Sequence, residues 1–365
     1  MSSPLPEMHK VLHFTGVDQP LTVETRPTPR AELGSLIIRV LAAAVQPYSG
    51  AIYKGTGPLP PDMLSQNFVP GGNAVGRVVE TGSDSTTLTQ GQLVLFDATV
   101  RGRDNPNAIY LSGTMAGFDD ASRKLSAHRA DSKLGQFAKV PLENCLAIGE
   151  PIIRELGYEI HDLAHLFPML VGFGGLSDIG LQPGETVVVA PATGKHGGAA
   201  VHVALAMGAR VIAMGRNRDT LERLVRLDFK RVMAVCMTDD MEADRQSLIS
   251  ASKGRPIHAY LDISPSKAAG STHLNSCIKA VSQGGRVSLM GGIGDDAVIP
   301  YGAITYQALT LRGTWNCTPE QARRPLAMVH AGILWAGKFR LGEWREAFDI
   351  AAKHNVSGKG VIIIP

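Results

Sequence analysis

The chain has 365 residues, of which 44% are hydrophobic and 19% charged, with 40 glycines, 22 prolines and a formal net charge of +3. At about 150 residues per domain this is a two-domain globular protein, and nothing in the composition suits a long disordered tract. The charge is nearly balanced, with no long basic block, no apolar run near the roughly 18 residues of a membrane span and no signal-peptide core, so neither nucleic acid nor membrane is expected as a partner and a cytoplasmic location is.

In chain order, the first third reads as short strands between Gly, Pro and Asp boundaries: SLIIRVLAAAV at 35–45, AVGRVVETG at 74–82, GQLVLF at 91–96 and GQFAKV at 135–140. PGGNAVG at 70–76 is a glycine turn ahead of one of them. Residues 98–133 look like a long polar excursion with the least order of any part. From about residue 160 the rhythm becomes strand, turn, helix: ETVVVA at 185–190, RVIAMG at 210–215, RVMAV at 231–235, IHAYLDI at 257–263 and GRVSLMGG at 285–292, separated by helical stretches. Apolar strands alternating with helices imply a parallel sheet covered on both faces, a doubly wound α/β domain. The tail continues with LRGTW, a helix over 319–336, a second over 343–353 and a closing strand GVIIIP. Cys145, Cys236, Cys277 and Cys317 lie far apart without a C-x-x-C pair, so buried reduced thiols are expected and a cysteine-rich zinc lobe is not visible.

The strand ETVVVA runs into PATGKHGG. Ala192, Gly194 and Gly197 keep the G-x-G-x-x-G spacing with alanine first, between a strand and a helix. The middle glycine lets backbone approach a pyrophosphate, the third permits close helix packing, and the helix N-terminus faces the anion. Thr193, Lys195 and His196 complete this cofactor-binding turn, Lys195 as a phosphate contact. About 20 residues on, where an NAD-binding fold carries Asp or Glu for the ribose 2′-OH, the chain reads Gly215-Arg216-Asn217. With no acid and a guanidinium fork at hand, NADP(H) is expected over NAD, Arg216 and Asn217 serving the 2′-phosphate; the competing reading of the arginines is a solvated helix start. Gly291, Gly292 and Ile293 end the strand VSLM where ligands of such sheets collect, and are expected beside the nicotinamide.

The order and spacing of these segments, with ALAMGARVIAMGRN, GGRVSLMGG and the terminal SGKGVIIIP, resemble the medium-chain dehydrogenase/reductase superfamily along nearly the whole chain. The resemblance implies a GroES-like, mainly-β catalytic domain from residues 1–160 and 306–365, a Rossmann NADP-binding domain from 161–305, and an active site in the cleft between them. Zinc-dependent members carry a Cys near an early strand end, a His in a G-H-E stretch and a third ligand before the Rossmann domain. Here those places read Gln46, Gly71-Gly72-Asn73 and the neighbourhood of Leu166, none of them a thiolate, imidazole or carboxylate. The likeness is therefore to the zinc-free branch of quinone oxidoreductases and enone reductases, with no metal expected. Gln46 and Lys359 are further candidates for cofactor contact, and Asn73 for cofactor or substrate. The pair His161 and His165 in HDLAH has the spacing of a helical metal site, but no Glu and no third ligand accompany it, and a capped surface pair is the better reading.

Without a Lewis acid, hydride transfer suits a conjugated carbonyl, whose negative charge spreads onto an enolate or phenolate that one or two hydrogen-bond donors can stabilise. The stretch QPYSGAIY offers Tyr48 and Tyr53 as those donors and proton sources, the competing reading of each being a packed pocket wall. The leading expectation is an NADPH-dependent reductase of quinones, enones or related small carbonyl compounds. A zinc-free alcohol dehydrogenase or ketoreductase and a non-catalytic cofactor-binding scaffold are the alternatives, and a homodimer or homotetramer is expected.

Overall fold

The computed structural model describes residues 4–17, 19–57, 59, 63–64, 67–127, 133–150, 153, 158–164, 166–294 and 296–323, and the backbone of 335–340 and 359–364. The chain divides into two compact units, one formed by Met1–Phe167, Leu334–Asn355 and Lys359–Pro365, the other by Pro168–Ile333 and Val356–Gly358.

In the first unit, strands β1 (Met8–His13) and β2 (Thr22–Pro27) pair antiparallel. Strand β3 (Ser35–Val45) is the central element, and its near-continuous apolar run follows from burial on both sides. Helix α1 (Ser49–Tyr53) follows, then β4 (Ala74–Thr81), β5 (Leu93–Phe96), β6 (Thr99–Arg101), β7 (Ile109–Leu111), helix α2 (Asp120–Ala127), β8 (Phe137–Pro141) and β9 (Cys145–Ile148). β3 pairs antiparallel with β4 on one edge and with β8 on the other, and the β3–β4 register is irregular at Ile37/Ile38 and Val40/Ala42. The core holds Phe14, Tyr53 and Phe68, with ring centroids of Phe14 5.5 Å from Tyr53 and 5.2 Å from Phe68.

The stretch 98–133 differs from its polar appearance. It contains the β6–β7 hairpin and α2, and Val100, Tyr110, Met115 and Ala116 are buried. Few apolar residues suffice here because consecutive residues of the short hairpin are buried on both of its faces, and Ser122 Oγ accepts from Ile109 N–H.

In the second unit, helix α3 (Leu166–Asp178), which begins in the last residues of the first, leads to β10 (Thr186–Ala190). Next come α4 (Lys195–Ala206), β11 (Arg210–Gly215), α5 (Arg218–Val225), β12 (Val232–Cys236), α6 (Met241–Ala251), β13 (Ala259–Asp262), α7 (His273–Ala280), β14 (Arg286–Leu289), α8 (Tyr301–Tyr306) and β15 (Thr310–Gly313). The six strands are parallel in the order β12-β11-β10-β13-β14-β15, which is the doubly wound Rossmann order with its reversal between β10 and β13. Val187, Val188 and Val189 of β10 are fully buried, as a strand covered on both faces requires.

LRGTW, given to the outer domain in the sequence, overlaps β15, which pairs parallel with β14 as the last strand of this sheet among the described residues. Its exposed edge position makes it read as polar, which is why the pattern hid it. The helix expected over 319–336 begins at Pro319–Ala322, while Trp335 already opens a strand; 324–334 and the second helix, 343–353, lie outside the described residues. The chain ends in β16 (Trp335–Arg340) and β17 (Lys359–Ile364), which pair parallel, and β17 joins the first unit's sheet against β3. No helix among the described residues is long and apolar enough to cross a membrane.

One buried carboxyl in the first unit sets a pH dependence. Asp97 is 4% exposed and accepts from Thr99 N–H at 3.0 Å, and burial pushes its carboxyl up to about 6. A raised carboxyl pKa favours the protonated fold, so this stabilisation is complete below the unfolded value near 3.8 and is lost as pH rises through 6. The shift corresponds to about 3 kcal/mol. Asp97→Asn keeps the acceptor and removes the charge; its stability in chemical denaturation should gain on wild type progressively from pH 4 to pH 7, and a constant difference across that range would refute the assignment.

Candidate functional site

The turn after β10 has the geometry its spacing predicts. Ala192 is buried, and its N–H donates to Met214 O at the end of β11 at 2.7 Å. A Cβ at Gly197 would fall on Pro191 O, so only glycine lets α4 sit this close to the strand end. Gly194 differs: its φ of −82° suits any residue, yet a Cβ there would meet nothing within 4 Å. That open space above the helix N-terminus is where an approaching phosphate needs the backbone bare. No side chain caps α4, which leaves its first N–H groups turned to the same opening.

Lys195 is 3% exposed in the first turn of α4, and burial pushes its ammonium down to about 8. His196 follows, held neutral at about 4 by burial and by Lys195 beside it. Thr193 packs across to the next strand: a Cβ on Gly215 would lie 2.6 Å from Thr193 Cγ2, so Gly215 is required where β11 ends against the turn. Arg216 is exposed immediately beyond it. Asn217 is also exposed, but its Oδ1 accepts from Thr220 N–H at 2.9 Å as the N-cap of α5, a structural task the sequence reading did not assign it.

At the carboxyl ends of β13 and β14, Gly291 and Gly292 are exposed and Ile293 is half-buried. Their backbone is tied to β13: Met290 N–H donates to Asp262 O at 3.0 Å and Gly292 N–H to Ser264 O at 2.7 Å. Asp262, the last residue of β13, stands in register with Ala190 at the end of β10. The glycine turn, Arg216 and the 291–293 segment thus share the carboxyl edge of one sheet, around its strand-order reversal, where doubly wound domains bind dinucleotides.

In the first unit, Gln46 and Ser49 bracket the start of α1, Gln46 N–H donating to Ser49 Oγ at 3.1 Å. Tyr48 takes the N-cap position with 38% of its surface exposed. The protein around its phenol pushes the hydroxyl up to about 12, so it is a proton-bearing donor at neutral pH. Tyr53 is not such a donor. It lies in the core, 5% exposed, donating to Gly113 O at 2.6 Å and accepting from Gly71 N–H at 3.4 Å. Sequence alone could not separate the two tyrosines; five residues along a short helix turned one outward and one inward.

Gly71 has φ +103° and its Cβ would lie 2.7 Å from Leu134 Cγ, which makes it an obligatory glycine. Asn73 is 3% exposed, and its Oδ1 accepts from Ala98 N–H at 2.8 Å. The amide is a staple between the β4 entry and the β5–β6 link, turned away from the cofactor or substrate role expected of it. Gln46, Gly72 and Asn73 therefore offer no charged or imidazole donor, and the one carbonyl that Asn73 could lend is already bonded; the set does not suit Zn²⁺. Among the described residues, no three His, Cys, Asp or Glu side chains come together as a metal would require. His161 of HDLAH instead pairs with Glu159 at 3.0 Å in a capped helical turn, Ile160–Leu163, and His165 lies outside the described residues. Lys359 opens β17 in the first unit, and its side chain is outside what the structure describes.

What the sequence reading missed is the polar cluster beneath 290–292: Asp262, Ser264 and His273, all buried. The only signal was a carboxylate ending an otherwise apolar strand.

A family model described as an alcohol dehydrogenase GroES-like domain matches residues 32–147, and one described as a zinc-binding dehydrogenase matches 197–331. The L-threonine 3-dehydrogenase of Ruegeria pomeroyi is 26% identical over 301 residues, 81% of this chain and 82% of its own. Among solved structures, AibC superposes with a TM-score of 0.80 at 18% identity over 98% of this chain and 96% of its own. The cobalt- and zinc-bound thermostable alcohol dehydrogenase of Pyrobaculum aerophilum gives 0.74 at 20% identity over 98% and 100%. At these identities the structural likeness speaks to fold.

The two tyrosines make opposite predictions. Tyr53→Phe strands a buried carbonyl and a buried N–H and should destabilise the protein by about 1–3 kcal/mol, whereas Tyr48→Phe should leave the denaturation midpoint unchanged. Equal midpoints for both variants would contradict the placement of Tyr53.

Proposed function

Since the chain belongs to the medium-chain dehydrogenase/reductase superfamily, a group of oxidoreductases using a nicotinamide nucleotide, we propose that it is an NADPH-dependent, zinc-independent reductase of quinones, enones or related conjugated carbonyls. The observation that carries this reading is the donor set of Gln46, Gly72 and Asn73, with the Asn73 carbonyl already spent on Ala98 N–H. A site so furnished has no Lewis acid to stabilise a localised alkoxide. An acceptor that spreads its developing charge asks only for neutral hydrogen-bond donors, and Tyr48, protonated and partly exposed, is the donor we assign.

The cofactor preference rests on Gly215 and Arg216. No carboxylate stands at the end of β11 to take a ribose 2′-OH or to repel a 2′-phosphate, and the exposed guanidinium offers a bidentate fork. Lys195 supports an anion at the turn: burial and the positive end of a helix both weigh against its ammonium, and a phosphate beside it offsets both penalties. When bound, the nucleotide supplies the hydride. The chain's part is to hold the phosphates with Lys195 and the α4 N-terminus, to seat the nicotinamide half beside Gly291, Gly292 and Ile293, and to present the Tyr48 hydroxyl to the acceptor oxygen.

The names of the relatives favour a second reading, an alcohol dehydrogenase or ketoreductase. Among the described residues β15 ends the sheet, and Val298, Tyr301 and Tyr306, which precede it in the chain, are each more than three-quarters exposed, which supports self-association along that edge. Light scattering should return at least twice the chain mass.

The chemistry is separated by following NADPH oxidation with a quinone, an enone and a saturated ketone. Turnover of the first two is expected, with NADPH preferred to NADH at least tenfold and the preference lost in Arg216→Ala; turnover of the ketone alone, or stoichiometric zinc in the active protein, would remove this reading. The NADPH dissociation constant should be flat between about pH 7, where the 2′-phosphate is a dianion, and about pH 8, and rise above it as Lys195 loses its proton. Lys195→Met should bind weakly at every pH, without that rise.

A further inference from the structure

The buried polar cluster at the end of β13 has a direction. Asp262 Oδ1 accepts from Tyr260 O–H at 3.1 Å and from Ser264 O–H at 2.5 Å. A carboxylate can only accept, so the single hydroxyl proton of Ser264 is committed to Asp262. The contact of Ser264 Oγ with His273 Nε2 at 2.8 Å must then run the other way, His273 Nε2–H donating to Ser264. This chain fixes the ring's tautomer, and Nδ1, 2.7 Å from Ser271 Oγ, accepts from the Ser271 hydroxyl when the ring is neutral. The order Ser271, His273, Ser264, Asp262 is thus one polarised chain, entered at half-buried Ser271 and ending in a carboxylate at the strand-order reversal.

Both inner members also grip the 290–292 backbone, Asp262 through its carbonyl to Met290 N–H and Ser264 through its carbonyl to Gly292 N–H. Gly291 lies directly over the carboxylate: a Cβ there would come within 2.5 Å of Asp262 Oδ2. Gly291 and Gly292 are exposed on their outer side, and from beneath the segment is held through the backbone carbonyls of Asp262 and Ser264, whose side chains are bonded to each other and, through Ser264, to His273. A hydrophobic filling would serve stability equally well, whereas a directional chain sets position.

We infer that His273, Ser264 and Asp262 form a relay that fixes the Met290–Gly292 backbone against the nicotinamide half of the bound dinucleotide, with His273 as its positioning residue. This rests on the dinucleotide reading of the carboxyl edge. The adenosine half falls to β10, β11 and β12 and the nicotinamide half to β13, β14 and β15, because the fold is two mononucleotide-binding halves.

The test compares binding of NADPH with binding of 2′,5′-ADP, which probes the adenosine half alone. His273→Phe leaves Ser264 without its donor and should weaken NADPH at least tenfold while changing 2′,5′-ADP less than twofold. His273→Gln, whose amide N–H can donate to Ser264, should recover most of the loss. Ser264→Ala removes the hydroxyl that links His273 to Asp262, adds no bulk beside the nicotinamide and should reproduce the same split, so a misfolded His273→Phe does not end the test. Equal weakening of both probes, no weakening of either, or a His273→Gln no better than His273→Phe would overturn the relay. A wild-type protein that binds neither probe would remove the dinucleotide reading itself, and the relay's role with it.

Discussion

The close seat of helix α4 on the end of β10 is the contact on which the carboxyl edge depends. Position 197 admits no side chain, because its Cβ would occupy the place of Pro191 O. With the helix held there, Ala192 reaches Met214 O and Thr193 fills the space that Gly215 leaves, so the end of β11 is locked to the turn rather than merely near it. Arg216 inherits its place from that lock. The same seat sets the N-terminus of α4, which no side chain caps, beside the bare Cα of Gly194, so one steric restriction positions both the turn and the residue we propose for the 2′-phosphate.

The Rossmann strands were legible because a strand buried on both faces must be a continuous apolar run bounded by turns, and ETVVVA, RVIAMG and VSLM are that. The glycine turn was legible because its steric reasons act within a few residues. Elements whose reasons lie far off in sequence were not. β15 is a strand only because it has β14 beside it, and its own composition is that of an exposed edge. The hairpin within 98–133 becomes a core element through Val100 and Tyr110 packing on residues from other strands, which no local pattern records.

Site residues divide in the same way. Tyr48 and Tyr53 are alike in type and close in sequence, and what separates them is the partner each finds: Tyr53 packs on Phe14 and Phe68 and closes Gly113 O and Gly71 N–H, while Tyr48 remains partly open. Asn73 and Asn217 were candidate ligand contacts by chemistry, yet each has its carbonyl bound to backbone, Asn73 to Ala98 and Asn217 to Thr220. A short polar side chain beside a turn is more often a fastening for that turn than a hand offered to a ligand, because the backbone N–H groups there need partners whether or not a ligand is present.

The two flanks of the strand-order reversal manage buried charge by opposite means, and the difference follows from what each flank must hold. On the β10 side, Lys195 is an ammonium whose burial lowers its proton affinity, at a helix end that disfavours cations. A cation in such a place gains from a neighbouring anion, and on the proposed reading the phosphates of the dinucleotide supply one. On the β13 side, Asp262 is completed from within, by two hydroxyls and, through Ser264, an imidazole. Neutral donors satisfy the lone pairs of this carboxylate without introducing a cation that would compete for an anion; its negative charge remains, set back from the surface by burial. On the proposed dinucleotide reading the phosphates cross beside the Lys195 cation and the nicotinamide half lies over the bonded carboxylate, on the backbone that the carbonyls of Asp262 and Ser264 hold.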